Sequence, residues 1–224
     1  MGYHIDLTRI TLMQYKQSLK EGYLPPSRQV LKENIDARFE IIERHGILRA
    51  DELFNELKTK RKVEAFSMAS GISLDYLTIL SREIRSLIKK PVKLIEFTMI
   101  STQAAEKLGA AGIKHTVDVY NNTLTEQDRK DLSEKSGISE DDIERIARLA
   151  DLSRIRWVNH TFAQILYELG YRCAKDVSAA DAEVMHKEVN GYIREHNIYK
   201  DGIGLRDIKI CVEVAGKLEH EMQL

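Results

Sequence analysis

Gly46-Ile47 and Gly71-Ile72-Ser73 recur further along the chain as Gly112-Ile113 and Gly137-Ile138-Ser139, with the same separation inside each pair. The register between the two blocks holds through their surroundings. Ile42 pairs with Leu108, Leu53 with Val119, Phe54 with Tyr120, Phe66 with Leu132, Asp75 with Asp141, Leu77 with Ile143 and Leu80 with Ile146. A looser third copy follows at a slightly shorter offset, where Leu108, Gly112, Asp118 and Val119 recur as Leu166, Gly170, Asp176 and Val177, with an insertion around Tyr199–Gly204. A near-constant period of this length is the mark of a repeated supersecondary unit.

The residues of one copy dictate helices. Gly46, Gly112 and Gly170 each close an apolar-periodic run, and each is followed by Ile or Tyr, the apolar contact that seals a helix C-terminus. A short helix follows each of them, then a run ending at Gly71 or Gly137. Ser73 and Ser139 read as N-caps of the next helix, with Asp142 completing a weak capping box. Asp75 and Asp141 put negative charge in the first turn, where the helix dipole favours it. Leu77, Leu80, Ile84 and Leu87 then recur at helical spacing, as do Ile143, Ile146 and Ala150, Ile35, Phe39 and Ile42, and Ile208, Val212, Ala215 and Leu218. A first helix is expected over Thr11–Glu21, broken by Pro25-Pro26, with Ser27 starting the next. The expected fold class is all-α: tandem helix-hairpin-helix-like repeats with an N-terminal helical extension. Residues 1–90 hold the extension and first unit, and residues 91–224 the second and third.

A second segment recurs between units. Leu94-Ile95-Glu96-Phe97-Thr98-Met99-Ile100-Ser101 aligns with Leu152-Ser153-Arg154-Ile155-Arg156-Trp157-Val158-Asn159. It has the outline of a helix-hairpin-helix turn around Ile100 or Val158, with Ala105 or Ala163 on the packed face of the following helix. Hairpins of this kind that grip phosphate carry Gly-hydrophobic-Gly, so that backbone N–H groups reach the anion. Met99/Ser101 and Trp157/Asn159 stand there instead, so these turns read as structural, with Trp157 and Phe162 in the core. Gly202-Ile203-Gly204 keeps the glycines, between Lys200 and Arg206. A lone GxG reads either as a flexible connection or as a phosphate cradle.

Leu-x-x-Ile/Phe turns, the hairpin alanines, the Gly-Ile ends, Pro25-Pro26-Ser27-Arg28, Asn34-Ile35-Asp36-Ala37-Arg38-Phe39 and Gly204-Leu205-Arg206-Asp207-Ile208-Lys209 together resemble the bacterial domain of unknown function 4332 family, over Ile5 to Lys217. The resemblance implies a helical fold related to tandem helix-hairpin-helix or SAM-like units. It implies no activity.

Composition narrows the function classes. With 43% hydrophobic and 31% charged residues, the chain has the balance of a globular protein. Its net charge of −1 creates no global field for nucleic acid, but residues 1–100 carry +4 and residues 101–224 carry −5. The basic surplus concentrates in Lys58, Lys60, Arg61, Lys62, Arg82, Arg85, Lys89, Lys90 and Lys93. Arg82, Arg85 and Lys89 are expected on one exposed helix face opposite the Leu77/Leu80/Ile84/Leu87 stripe. Cys173 and Cys211 are expected as buried apolar residues. Seven scattered histidines form no HExxH motif, and no Walker, dinucleotide or nucleophile-elbow motif is present. Neither an enzyme, nor a cofactor, nor a metal site is therefore expected. No apolar run approaches the ~20 residues of a membrane span, and with no signal segment in view the chain is placed in the cytoplasm.

Two functions remain. The first is a protein-interaction or scaffold module, to which the lost hairpin glycines and neutral charge point. The second is DNA binding through helix-hairpin-helix-type contacts, using Lys58, Lys60, Arg61, Lys62, Arg82, Arg85 and Lys89, or Lys200, Gly202, Gly204 and Arg206.

Overall fold

The glycines foreseen as helix ends take left-handed backbone in the computed structural model, which describes residues 2–224. Gly46 and Gly112 sit at φ +81° and +83°, and Gly71 and Gly137 at +71° and +62°. All the regular structure among the described residues is helical. Thirteen α-helices run as α1 (Leu12–Glu21), α2 (Ile35–Arg44), α3 (Ala50–Glu56), α4 (Lys60–Ser70), α5 (Leu74–Arg85), α6 (Thr102–Ala110), α7 (Thr116–Asn121), α8 (Glu126–Ser136), α9 (Glu140–Leu152), α10 (His160–Glu168), α11 (Ala174–Ser178), α12 (Ala182–His196) and α13 (Leu205–Ala215). Three 3₁₀ helices add Leu7–Arg9, Pro26–Lys32 and Leu94–Glu96. The helix expected to start at Ser27 is instead the 3₁₀ turn, and α2 begins after Asn34, whose backbone is left-handed at φ 47°. Residues 211–214, whose pattern also fits a strand, lie inside α13.

The chain divides into two compact units. One is Asp6–Ile88; the other is Lys89–Leu224 together with the N-terminal residues up to Ile5. Each unit shows the same local construction. In the first, the Leu12 N–H donates to Leu48 O at 2.7 Å and the Ala50 N–H to Ile10 O at 2.9 Å, forming a two-bond antiparallel clasp at Thr11 and Arg49. In the second, Leu94 donates to Lys114 O at 3.0 Å and Thr116 to Val92 O at 2.9 Å, around Lys93 and His115. Glu52 accepts the Leu48 and Arg49 amides, and Asp118 the Lys114 and His115 amides, so one carboxylate in each unit caps the short helix α3 or α7. Thr59, Thr125, Ser73 and Ser139 cap α4, α8, α5 and α9. The Ser67 and Ser133 hydroxyls each reach over the following glycine to the Ile72 and Ile138 carbonyls, at 2.7 and 2.6 Å.

The third copy keeps the glycine and the carboxylate but changes the clasp. Gly170 lies at φ +93° and Asp176 accepts the Arg172 amide at 2.9 Å. The Ala174 amide, which corresponds to Ala50 and Thr116, finds the side chain of Asp151 at 2.7 Å in place of a backbone carbonyl. Its long helix α12 ends on Asn197 at φ 50°, a residue that tolerates left-handed backbone, where the other copies use glycine.

In the first unit α5 is central, packing on α3, α4 and the Pro26–Lys32 turn. Leu77, Leu80 and Ile84 are fully buried there, and the Tyr76 hydroxyl donates to Leu31 O at 3.2 Å. Glu83 is buried beside Arg28, which also donates to Ser86 at 3.2 Å. In the second unit α9 holds the centre against α7, α8 and α10, and α13 packs on α11 and α12. Cys173 and Cys211 are buried free thiols.

A buried ion pair closes the second unit. Arg154 meets Asp151 at 2.6 Å with both side chains almost wholly buried. The Arg154 guanidinium also donates to Tyr3 O at 3.1 Å and Glu219 O at 2.8 Å, and lies 4.3 Å over the Tyr120 ring. Removing one member leaves the other charged and unpaired in the interior. Arg154→Met is therefore expected to destabilise the protein by about 3–5 kcal/mol. Chemical denaturation checks this, and a loss below about 1 kcal/mol would show that the pair is not structural.

Candidate functional site

The basic residues singled out from the sequence divide into three groups. Lys60 at the start of α4 joins Arg82 and Arg85 of α5 around one cavity of about 340 Å³. Thr59, Val63, Glu64, Leu74, Thr78 and Ser81 complete its walls. Lys60 lies 3.8 Å from Glu64. Neither the Arg82 nor the Arg85 guanidinium has a hydrogen-bond or ion-pair partner among the described residues. Lys58, Arg61 and Lys62 are exposed alongside, Lys62 donating to Asn55 O at 2.7 Å.

Lys89 does not belong to that face. Helix α5 ends at Arg85, and the Lys89 ammonium donates to the Val158 carbonyl in the second unit's interior. Burial drives its pKa from 10.5 down to about 8. Beside it the Cys211 thiol is pushed up to about 12 by the same burial, so it stays protonated.

Lys200, Gly202, Gly204 and Arg206 form the third group, and the GxG segment is not an open cradle. The Asn190 side chain clamps it: Ile203 N–H donates to Asn190 Oδ1 at 2.9 Å, and Asn190 Nδ2 donates to Ile203 O at 2.9 Å. A Cβ at position 202 would come within 2.3 Å of Asn190 Oδ1, so close approach of this amide explains the glycine. Gly204 is the N-cap of α13 at φ −68°, and a Cβ there would sit 3.3 Å from the Asp207 carboxylate. The Ile203 amide between the two glycines is thus already bonded, and Asp207 already places an anion in the first turn of α13.

The two hairpin turns are likewise closed. Ile100 donates to Phe97 O at 3.2 Å and Val158 to Ile155 O at 3.1 Å, with Ser101 and Asn159 capping α6 and α10. The Met99 amide donates to Gln164 Oε1 at 2.8 Å. Phe162 is in the core as expected, but Trp157 is not. Its backbone is left-handed at φ +70°, which turns the ring outward to 46% exposure with the Arg156 guanidinium 4.3 Å above it.

Features that the sequence reading passed over lie at the clasps. A groove of about 590 Å³ between α1 and α2 is lined by Leu12, Met13, Phe39 and Leu48, with Lys16, Asp36, Glu40 and Glu43 on its walls. Met13 and Leu48 are 72% and 56% exposed. At the corresponding clasp of the second unit, Lys93, Leu94, Ile95, Ala105, Glu106, Lys114 and His115 line a groove of about 300 Å³, and Ile95 is 67% exposed. The exposed members, Met13, Leu48 and Ile95, fall off the helical stripes, which is the one sign of them in the sequence.

Among the described residues no group of three His, Cys, Asp or Glu side chains is placed to hold a metal, and no helix is long and apolar enough to cross a membrane. The family model for the domain of unknown function DUF4332 matches residues 98–218. The chain belongs to this family. The DUF4332 match runs within the second unit from the turn before α6 to just past α13, and begins well after Ile5, where the resemblance starts. Pro25–Arg28 and Asn34–Phe39 thus lie outside the matched DUF4332 domain. Comparisons with curated proteins and with solved structures match nothing.

Lys89 makes the domain's stability depend on pH. Above pH about 8 the folded state releases its proton, whereas the unfolded chain keeps it to the ordinary lysine value of 10.5. The unfolded state then binds more protons, so this residue's contribution to stability rises with pH across that window. Lys89→Met is expected to be more stable than the parent at pH 7 and to lose the advantage as pH approaches 10. Denaturation midpoints for both proteins over that range test this, and parallel curves would refute it.

Proposed function

We propose that this chain is a non-enzymatic interaction module, built of helix-hairpin-helix-like units, that holds a partner protein in the grooves beside its clasps. The observation that carries this reading is the recurrence of such a groove in both units. In each, a large apolar side chain, Met13 or Ile95, stands exposed beside a backbone clasp. Scattered exposed hydrophobes need no explanation, but a repeated groove with an apolar floor does. The α1–α2 groove is lined by Asp36, Glu40 and Glu43 with Lys16 as the one basic lining residue among those described, while Lys20 and Arg44 pair with Asp36 and Glu40 from outside the lining. Its complement is an amphipathic segment with an apolar face flanked by Lys or Arg, in the helix-in-groove mode.

DNA binding is kept as a second reading, because one observation favours it: Lys60, Arg82 and Arg85 converge on a single cavity. The turn amides of Met99, Ile100, Val158 and Ile203 are bonded within the protein, so these lend it no support.

Isothermal titration with an amphipathic Leu/Lys helical peptide, and with its Leu/Glu counterpart, tests the interaction reading. The Leu/Lys peptide is expected to bind at micromolar Kd. Met13→Asp and Leu48→Asp are each expected to weaken it at least ~10-fold, about 1.4 kcal/mol. Equal binding of both peptides, or indifference to the substitutions, would sink it.

A further inference from the structure

The repeat supplies its own control for the basic cavity. In the matching register of the second unit, Thr59, Lys60, Val63, Glu64, Thr78, Arg82 and Arg85 become Thr125, Glu126, Arg129, Lys130, Glu144, Arg148 and Asp151. There the centre is occupied by a carboxylate. Glu144 joins Arg148 at 2.7 Å and Arg129 at 2.5 Å, so both guanidiniums are neutralised within the protein. Glu126 and Lys130 pair at 2.6 Å in the order that suits the helix dipole.

In the first unit that carboxylate is gone. Thr78 stands where Glu144 does, and Arg82, the counterpart of Arg148, has no partner among the described residues. Arg85 adds a second unpartnered guanidinium where the second unit has an acid. The charge order on α4 is reversed, Lys60 preceding Glu64, and α4 carries no acid in its first turn. The vacated space is the cavity of about 340 Å³. Two planar forks and an ammonium converging on a space that its sister fills with a carboxylate have the chemistry of an oxyanion site.

We propose that the α4–α5 cavity binds a phosphate group through Arg82, Arg85 and Lys60, carried either by free phosphate or by a nucleic-acid backbone. The tetrahedral anion takes the place of the Glu144 carboxylate, and the Thr59 and Thr78 hydroxyls stand at its edge. The nucleic-acid source rests on the second reading above; the phosphate site does not. No aromatic side chain lines the cavity, so it reads the anion and not a base.

The test uses the whole chain. Thermal unfolding is followed in sodium phosphate and in sodium chloride of equal ionic strength, and anisotropy of a labelled DNA duplex is measured in parallel. Phosphate is expected to raise the midpoint by several degrees over chloride. Arg82→Gln with Arg85→Gln is expected to cancel the rise. Thr78→Glu, which restores the sister carboxylate one helical turn before Arg82, is expected to cancel it too while the circular dichroism stays unchanged. Duplex binding that falls at least tenfold in the same variants assigns the phosphate to nucleic acid. A phosphate effect without duplex binding assigns it to a free anion and ends the second reading alone. No phosphate effect beyond chloride, or one that survives both variants, overturns the site. Duplex binding that the variants leave intact alongside such a result overturns the site and leaves the second reading standing.

Discussion

The second unit is organised around one buried guanidinium. Arg154 sits just past the C-cap of α9 and spends its donors on several chain segments: Asp151 in the last turn of that helix, the carbonyls of Gly2 and Tyr3, and that of Glu219. Asp151 in turn accepts the amide that opens α11. A buried arginine is tolerable only when every donor direction is met, because its charge cannot be shed. The residues up to Ile5 and the segment after α13 are therefore held at one point. The Tyr3 hydroxyl, 2.6 Å from Thr116 Oγ1, extends the tie to α7, and Thr116 in turn accepts the Val92 amide of the clasp. Burial also lifts the Tyr3 hydroxyl pKa to about 12, so it remains a neutral donor.

Around that node the molecule repeats one local solution. A helix ends on a left-handed glycine, the chain forms two backbone bonds with an earlier segment, and a carboxylate caps the short helix that follows. Each part satisfies amides and carbonyls that the helix ends leave open. The third copy shows which part is exchangeable. With no carbonyl opposite Ala174, the Asp151 side chain takes that role, and the buried pair with Arg154 follows from it.

The copies diverge where backbone geometry does not constrain them. On the outer faces of α4 and α8 the same positions carry opposite charge, Lys60 against Glu126 and Glu64 against Lys130. Val63 replaces Arg129 and Thr78 replaces Glu144, so the second unit neutralises its arginines internally and the first exposes them to what the solution offers. The clasp grooves differ in the same sense: acidic side chains predominate on the walls of the first, basic ones in the second.

Helix positions, the glycine ends, the serine caps and the repeat were legible in the sequence. Each depends on residues within one or two turns, through φ preference, capping and apolar periodicity. What sequence spacing could not convey was side-chain direction and distant pairing. Lys89 follows Arg85 at a helical interval, yet α5 has already ended and its ammonium is buried against Val158. Trp157 carries the apolar bulk of a core residue, but a left-handed backbone turns it to solvent. Gly202 read either as a flexible connection or as part of a phosphate cradle, and its spacing gave no sign that a Cβ there would meet Asn190 on the preceding helix α12. The sequence alone determined a chain of capped helices repeating at a near-constant period, because those are local free-energy choices. Only the tertiary structure decided which cations share a cavity, which amides are already bonded and which apolar side chains stay exposed. Those depend on contacts between segments far apart in the chain.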